Sequence, residues 1–442
     1  MTAVELRTAC WYGDRPLRLD LPSGWRVTTH WPSTPRPLGD EEIAMALERP
    51  WGQPPIRELA QGRSRPLIIV DDPTRPTPVG RVLPAVLRQL AEAGVPADRV
   101  RILVATGMHG PPRPQALAGK VGPDAAACRL LLHDPGDGLV RAGRTSFGTP
   151  VLVNREVLAS DLVIGIGGIY PQHSTGFGGG SKLAIGVLGK RAVVALHYGH
   201  PSMEGSHEVD NDFRRDLDEI AAMIGLRTSV SVLLDAERRP VRVMSGDHRS
   251  YWRAAVASVL AAYAAPPPTN ADVVIANAYP IDVSLTFARS KGVAPLVLAR
   301  PGASRVLVSA CSEGAGHHGL FPFVGASRLQ GLLHLARTVW ARPGAVPAKA
   351  AGRLRAKLAD GRGGAAAPSM ARPIWLHVPG PIGADLPGDL PGMRSLGSWP
   401  EVLARIDAEQ GHRPGLEVAV YPCAPLQVLR PAERPATATT AT

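Results

Sequence analysis

The sequence predicts an α/β protein of two domains, each built on a mainly parallel sheet, with an active site in the cleft between them. Short runs of aliphatic and β-branched residues alternate with helical segments along most of the chain, a pattern typical of strands joined by crossover helices. A proline-rich stretch at residues 264–270 interrupts the alternation and indicates a linker. A length of 442 residues also exceeds what one hydrophobic core usually supports.

The linker places residues 1–263 in an N-terminal domain and residues 271–433 in a C-terminal domain. Residues 434–442 are low in complexity and are predicted to form a disordered tail. The segment 341–372 is rich in Ala, Pro, Gly and Arg, which indicates a mobile insertion or a weak surface helix.

The elements of the N-terminal domain are predicted from buried apolar runs and helical periodicity. In chain order they are strands at 11–13 and 17–21, a helix at 41–48, a strand at 66–70, a helix at 81–93, strands at 100–105, 150–153 and 161–166, a helix ending near 200, a helix at 216–223 and a strand at 229–234. The C-terminal domain is predicted to contain strands at 271–276, 305–309, 374–378 and 416–421.

Charge and cysteine content exclude several classes of function. The formal net charge is +11, but the basic residues are dispersed with little aromatic interleaving, so no nucleic-acid partner is expected. No apolar run approaches 18 residues and the N-terminus lacks the apolar core of a signal peptide, so no membrane partner is expected. The four cysteines lie far apart and indicate neither a disulfide framework nor a zinc ribbon. A cytoplasmic protein is therefore predicted.

Polar side chains follow three of the predicted strands at their carboxyl ends. Asp72, Thr74 and Arg75 follow the strand at 66–70, and His109 follows the strand at 100–105. His173 and Lys182 follow the strand at 161–166. Because ligands of open α/β sheets bind at this edge, the side chains are expected to face one site. The alternative is three unrelated polar loops.

A glycine-rich turn precedes Lys182, one of only six lysines in the chain. Four of the five residues from Gly176 to Gly180 are glycines, so the backbone can pass close to a ligand. The turn is expected to meet a helix N-terminus whose free N–H groups could bind a phosphate. It does not have the spacing of a P-loop. A tight loop with a solvated lysine is the alternative.

Three histidines and a lysine facing one cleft suit acid–base chemistry, metal binding or covalent attachment. Neutral imidazole titrates near neutrality and binds nickel, zinc or copper, and a desolvated lysine becomes a nucleophile. The chain has no HExxH motif, and His197 with His200 is its only pair at helical spacing among the candidate residues. A zinc hydrolase remains an alternative, but the sequence offers no obvious carboxylate base for it.

Four motifs in this order resemble the lactate racemase family, over about the first 320 residues. They are Asp72-x-Thr74-Arg75-Pro76, Ala105-Thr106-Gly107-x-His109, His173 with the glycine turn and Lys182, and Cys311-Ser312-Glu313-Gly314. Each motif is weak by itself, and their combination is specific. The resemblance implies an isomerase that inverts C2 of a 2-hydroxy acid with a nickel-pincer nucleotide, the nickel complex of pyridinium-3-thioamide-5-thiocarboxylic acid mononucleotide. Cofactor-synthesis enzymes would then be partners.

The resemblance also implies a role for each matching residue. Lys182 would hold the cofactor covalently, and Thr74, Gly178, Gly179 and Gly180 would contact it. His197 would bind the nickel, with His200 as the alternative because the spacing after Lys182 is one residue short of the family pattern. His109 and His173 would be paired acid–base groups, oriented with the substrate by Asp72 and Arg75. Arg75 and Lys291 would bind the substrate carboxylate.

By this resemblance the reaction removes the C2 hydrogen as hydride while a base takes the hydroxyl proton, and then returns the hydride to the other face. This chain lacks the glutamine that the family usually has shortly before Lys291, and Phe287 and Arg289 lie in that segment. The usual proline after the anchor lysine is also missing, with Gly186 near its place. The sequence therefore does not predict which 2-hydroxy acid is used. Net redox chemistry on the same scaffold and a non-catalytic binder of anionic ligands remain alternatives.

Overall fold

The structure of the protein, a computed structural model, describes residues 2–172, 175–200, 207, 209–320, 372–380, 386, 389–390 and 392–430. The predicted tail at 434–442 lies outside these residues, and so does the segment at 341–372 except for its last residue.

A first sheet organises the N-terminal half of the chain. Its six strands are, in spatial order, Pro240–Gly246, Leu226–Leu234, Leu162–Gly168, Pro66–Asp71, Arg101–Ala105 and Arg129–Leu132. All neighbours are parallel except the first two, which form an antiparallel edge. The three central strands therefore end side by side at the same edge of the sheet.

The central strands are buried on both faces, which explains why they read as continuous apolar runs. Every residue of Pro66–Asp71 is buried. Leu67 and Ile69 pack into the core on one face, and Ile68 and Val70 pack into the core on the other face. Successive side chains of this strand point to opposite faces of the sheet, and each set packs against the helices that cover its face.

A second sheet organises the C-terminal half. Its strands are, in spatial order, Asp389–Leu390, Met393–Leu396, Ile374–His377, Ser304–Val308, Val273–Asn277, Glu417–Tyr421 and Arg26–Thr29. All described pairs are parallel except the short one at the first edge. The division at 1–263 and 271–433 stays a prediction, but the strand Arg26–Thr29 belongs to the second sheet rather than to the first.

Helices and short strand pairs complete the described chain. The α-helices are Asp40–Glu48, Ile56–Leu59, Leu83–Glu92, Pro114–Val121, Arg155–Leu158, Lys190–Gly199, Asp212–Met223, His248–Tyr263, Leu285–Lys291, Ala294–Leu298 and Trp399–Glu409, and the 3-10 helices are Val79–Arg81, Ala97–Arg99, Pro123–Ala127, Gly180–Val187 and Ala424–Leu426. The paired strands outside the two sheets are Thr2–Thr8 with Arg15–Leu21, Leu139–Arg144 with Pro150–Asn154, Pro171–Gln172 with Gly176–Phe177, and Ala264–Ala265 with Val428–Leu429.

Two predicted strands differ from the structure. Residues 11–13 form a turn, because Ala9 and Trp11 have φ angles of 64° and 68° and reverse the backbone after the strand Thr2–Thr8. The strand predicted at 150–153 exists as Pro150–Asn154, but it pairs with Leu139–Arg144 in an antiparallel hairpin, with a single bridge from Val153 to Leu188, and not with the first sheet.

The α/β fold class with parallel strands is confirmed. Across the described ranges, no helix combines the length and apolar character needed to span a bilayer.

Candidate functional site

Asp72 and His109 form a hydrogen-bonded pair where two central strands end. The Nδ1 atom of His109 lies 2.7 Å from Oδ2 of Asp72, and the hydroxyl of Thr74 donates to Oδ1 of Asp72 over 2.6 Å. The Asp72 side chain is 3% exposed and that of His109 is 14% exposed. With its Nδ1–H bonded to a carboxylate, the neutral imidazole carries its lone pair on Nε2, where it can accept a proton.

The charges of this pair follow from burial and from its neighbours. Burial would raise the pKa of Asp72, but the adjacent His109, Arg75 and the Thr74 hydroxyl hold it at about 2. Burial lowers the pKa of His109, and the Asp72 carboxylate opposes that shift. The pair is therefore an ionised carboxylate beside a neutral imidazole, as a general base requires.

Arg75 lies beside this pair and near a helix of the C-terminal half. Its guanidinium contacts the Thr74 hydroxyl at 3.1 Å and lies 5.6 Å from the centre of the Phe287 ring. The same ring packs edge-on against His109, with 4.9 Å between ring centres. Phe287 is buried on the helix Leu285–Lys291, so a side chain of the C-terminal half forms an apolar wall beside the acid–base pair.

The glycine-rich turn is closely packed. Gly179 and Gly180 have φ angles of 82° and 56°. A Cβ atom on Gly178 would lie 3.1 Å from a backbone oxygen, and one on Gly179 would lie 3.0 Å from the Ser231 hydroxyl. The N–H groups of Gly178 and Gly180 donate to Tyr170 O and Ser231 Oγ. These two N–H groups are thus engaged within the protein rather than held open for a phosphate, and the turn leads into the 3-10 helix Gly180–Val187 instead of an α-helix.

Lys182 lies in the first turn of this 3-10 helix and is partly buried. Burial lowers its pKa well below the ordinary lysine value, and the positive charges of Arg75, Lys291 and Arg214 lower it further. A lower pKa favours the neutral, nucleophilic form of the amine.

His197 lies in the last turn of the helix Lys190–Gly199. Its Nδ1–H donates to the carbonyl of Val193 over 2.9 Å, and its ring packs edge-on against Phe213. Burial, with smaller contributions from nearby Lys182 and His109, lowers its pKa to about 4. The ring is thus neutral with its lone pair on Nε2, the form and orientation in which histidine commonly binds a metal.

His200 has a different environment. It is 1% exposed, and its Nε2 atom lies 2.7 Å from Oδ2 of the buried Asp216. The same carboxylate oxygen accepts a hydrogen bond from the hydroxyl of Thr149 over 2.5 Å. His200 is therefore part of a buried hydrogen-bond network at the C-terminal end of the helix Lys190–Gly199. Metal binding through its Nε2 atom would break the hydrogen bond to Asp216.

Lys291 brings a second cation from the helix Leu285–Lys291. Its ammonium donates to Oε1 of Gln172 over 2.7 Å. Burial, together with the charge of Arg75, lowers its pKa to about 7. Arg75 and Lys291 are thus close enough to repel each other, which suits a site that receives an anion.

The sequence analysis missed His318. Its ring centre lies 5.0 Å from that of His109, and its Nδ1 atom accepts the N–H of Leu320. A backbone hydrogen bond from Gly319 to Met108 O, 2.8 Å long, holds this loop against the residue before His109. Burial lowers the pKa of His318 to about 2, so the ring is neutral and its proton lies on Nε2. The sequence feature that could have indicated it is the pair of adjacent histidines, His317 and His318, in the loop that follows the strand Ser304–Val308.

Several of the described candidate residues lie near one another. Mutual electrostatic effects on their pKa values link Lys182, His109, His197, Arg75, Lys291 and His318. His173 lies outside the described residues, so its proposed pairing with His109 stays a prediction. Within the described ranges no group of three or more His, Cys, Asp or Glu residues is arranged to hold a metal ion.

Comparisons with known proteins point to one family. The family model described as the lactate racemase N-terminal domain matches residues 12–208. The lactate racemase of Lactiplantibacillus plantarum is 26% identical over 291 residues, which is 64% of this chain and 68% of that protein. The lactate racemase of Thermoanaerobacterium thermosaccharolyticum is also 26% identical, over 64% of this chain and 69% of that protein.

Solved structures share the fold. The lactate racemase apoprotein from T. thermosaccharolyticum aligns with a TM-score of 0.70 and 21% identity, over 97% of this chain and all of that one. A Thermotoga maritima protein aligns with a TM-score of 0.58 and 16% identity, over 90% of this chain and all of that one.

Proposed function

We propose that this chain, which matches the lactate racemase N-terminal domain over residues 12–208 and is 26% identical to two lactate racemases, inverts the configuration at C2 of a 2-hydroxy acid. The observation that carries the proposal is the Asp72–His109 pair beside Lys182, whose pKa is lowered, with Arg75 and Lys291 nearby. One arrangement thus combines a base for the hydroxyl proton, a nucleophilic anchor and two cations for a carboxylate.

The residues fit the nickel-pincer nucleotide on two grounds. Lys182 is a partly buried amine with a lowered pKa, which favours the nucleophilic form that covalent attachment needs. His197 has the tautomer that metal-binding histidines commonly have, so it would serve as the protein ligand to the nickel. His200 is the weaker choice because its Nε2 atom is bonded to Asp216. When bound, the cofactor would supply a reversible acceptor for the C2 hydride.

The chain's own groups would handle binding and protons. Arg75 and Lys291 would hold the substrate carboxylate, with the substrate lying between the two halves of the protein. His109, oriented by Asp72, would take the hydroxyl proton at Nε2 and return it. His173 would serve the opposite face. Phe287 and His318 would line the side next to His109, so the substrate's C3 substituent would meet an aromatic wall.

The test uses protein co-expressed with cofactor-synthesis enzymes and single enantiomers of several 2-hydroxy acids. We expect nickel in the purified protein, an added mass that Lys182→Ala lacks, and conversion to the other enantiomer with the C2 deuterium of a labelled substrate retained. Accumulation of the keto acid would instead indicate net redox chemistry. An adduct that survives Lys182→Ala, or metal-free protein that binds 2-hydroxy acids without converting them, would contradict the proposal.

A further inference from the structure

Arg214 is a buried cation that the reaction itself does not use. It lies on the helix Asp212–Met223 and is 4% exposed. A buried guanidinium is costly unless its N–H groups are bonded. Its bonds go to three groups of a single segment: Nη1 donates to Gly179 O over 3.1 Å and to Ser181 Oγ over 3.0 Å, and Nη2 donates to Phe177 O.

The segment bound by Arg214 is the glycine-rich turn that leads to Lys182. Glycines have the largest choice of backbone conformations, so this turn does not hold one shape by local preference. A planar guanidinium that binds Phe177 O and Gly179 O together fixes the orientation of two peptide groups at once. The same Gly179 oxygen accepts the N–H of Lys182 over 3.2 Å. Arg214 therefore supports the first hydrogen bond of the 3-10 helix on which Lys182 lies.

The guanidinium is itself fixed from the other side. It stacks on the indole of Trp252, with 3.8 Å between Cζ and the ring centre. Such stacking is attractive and restricts the rotation of the arginine. The charge also acts on the amine, since Arg214 is one of the three cations that lower the pKa of Lys182.

We propose that Arg214 is a positioning residue for Lys182, which holds the glycine-rich turn in the conformation that presents the lysine amine to the cofactor. The inference rests on the proposed role of Lys182 as the covalent anchor. Arg214, on the helix Asp212–Met223, would thus affect cofactor loading through the position of Lys182 and without contacting the substrate.

The test compares Arg214→Lys, Arg214→Met and the control Arg215→Met. Arg215 is the next residue on the same helix, but its side chain is 62% exposed and pairs with Asp212 on the surface. The first measurement uses the protein without cofactor: the rate at which acetic anhydride acetylates Lys182, by peptide mass spectrometry across pH, with exposed Lys190 as the internal reference. The second is the fraction of protein that carries the cofactor mass after co-expression.

We expect Arg215→Met to match wild type in both measurements. In Arg214→Met the pH midpoint of Lys182 acetylation should rise, because a neighbouring positive charge is lost, and loading should fall about 10- to 100-fold, as for other groups that orient a ligating residue. Arg214→Lys keeps a positive charge but cannot bind Phe177 O and Gly179 O together. The pH midpoint of Lys182 acetylation should therefore stay low in this variant, while cofactor loading still falls.

The inference is overturned if both Arg214 variants load like wild type and acetylate Lys182 with the wild-type rate and midpoint. If Arg214→Met fails to fold, Arg214→Lys decides by the same two measurements. If the adduct seen in wild type persists in Lys182→Ala, the role of Lys182 as covalent anchor is refuted instead. The acetylation profiles of the cofactor-free Arg214 variants would still decide whether Arg214 orients Lys182.

Discussion

The Asp72–His109 pair has the geometry of an oriented base: a 2.7 Å hydrogen bond from Nδ1 leaves Nε2 to accept a proton. If His109 and His173 serve opposite faces of the substrate, His109→Ala and His173→Ala should each lower racemisation about 10²–10⁴-fold with cofactor loading unchanged. Chiral chromatography and intact mass measure the two quantities.

Single-turnover reactions separate the two histidines. Each variant should still oxidise one enantiomer to the keto acid, and the two variants should prefer opposite enantiomers. A folded and fully loaded His173→Ala protein that racemises at nearly the wild-type rate would refute the two-base mechanism.

If Lys291 binds the substrate carboxylate as proposed, we expect substrate binding to depend on pH. Its pKa of about 7 is lower than that of an ordinary lysine, so the ammonium is charged below that pH and neutral above it. A substrate carboxylate is attracted only by the charged form, and KM should therefore rise as the pH increases through about 7. In Lys291→Arg the guanidinium stays charged, so KM should be nearly constant between about pH 6 and about pH 9. The same rise of KM in the variant would exclude Lys291 as its cause.

At the scale of elements, the 3-10 helix Gly180–Val187 lies directly against the end of the strand Arg101–Ala105. A Cβ atom on Gly186 would lie 2.5 Å from Ala105 Cβ and 2.6 Å from Ala105 O. The carbonyl of Gly186 also accepts the N–H of Gly107 over 3.0 Å. A glycine here lets the elements that carry Lys182 and His109 meet, and only a residue without a side chain fits.

We therefore expect Gly186→Ala to lower the free energy of unfolding by about 1–3 kcal/mol through overpacking, and to lower cofactor loading as the 3-10 helix shifts. Urea unfolding and intact mass measure these effects. Gly24→Ala is the control, because a Cβ there has no atom within 4 Å. Equal losses in the two variants would show that the close contact with Ala105 is unimportant.

At the scale of the whole molecule, an N-terminal turn joins loops from both sheets. The Asp282 carboxylate accepts the N–H groups of Ala9 and Cys10 over 2.7 Å and 3.1 Å. Trp11 in the same turn donates from Nε1 to Pro73 O, next to Asp72. The loop after the strand Val273–Asn277 is thus connected to the loop of the acid–base pair.

Asp282→Ala would leave two buried N–H groups without their acceptor. We expect the free energy of unfolding to fall by about 1–3 kcal/mol for each group, with a lower kcat as the loop of Asp72 loosens. The control is Asp137→Ala, which removes a carboxylate from the surface. Unfolding curves of Asp282→Ala that coincide with those of the control would show that the turn does not stabilise the molecule.

How much of this could be predicted from the sequence depends on the range of the interactions. Buried strands such as Pro66–Asp71 were predicted because both of their faces are apolar, a property of consecutive residues. The gathering of Asp72, Arg75, His109 and Lys182 was predicted because parallel strands end at one edge. The turn at residues 11–13 was misread as a strand, since the carboxylate that stabilises it lies about 270 residues away.

The choice between His197 and His200 shows the same limit. Their spacing left both open as nickel ligands, and only the packing of the helix Asp212–Met223 supplies the reason to prefer His197, since it brings Asp216 to His200. The role of Arg214 and the place of His318 beside His109 also depend on side chains that meet across elements. Burial and strand direction are local or periodic properties and can be read along the chain. Hydrogen-bond partners and pKa values are decided by which distant residues the tertiary structure brings together.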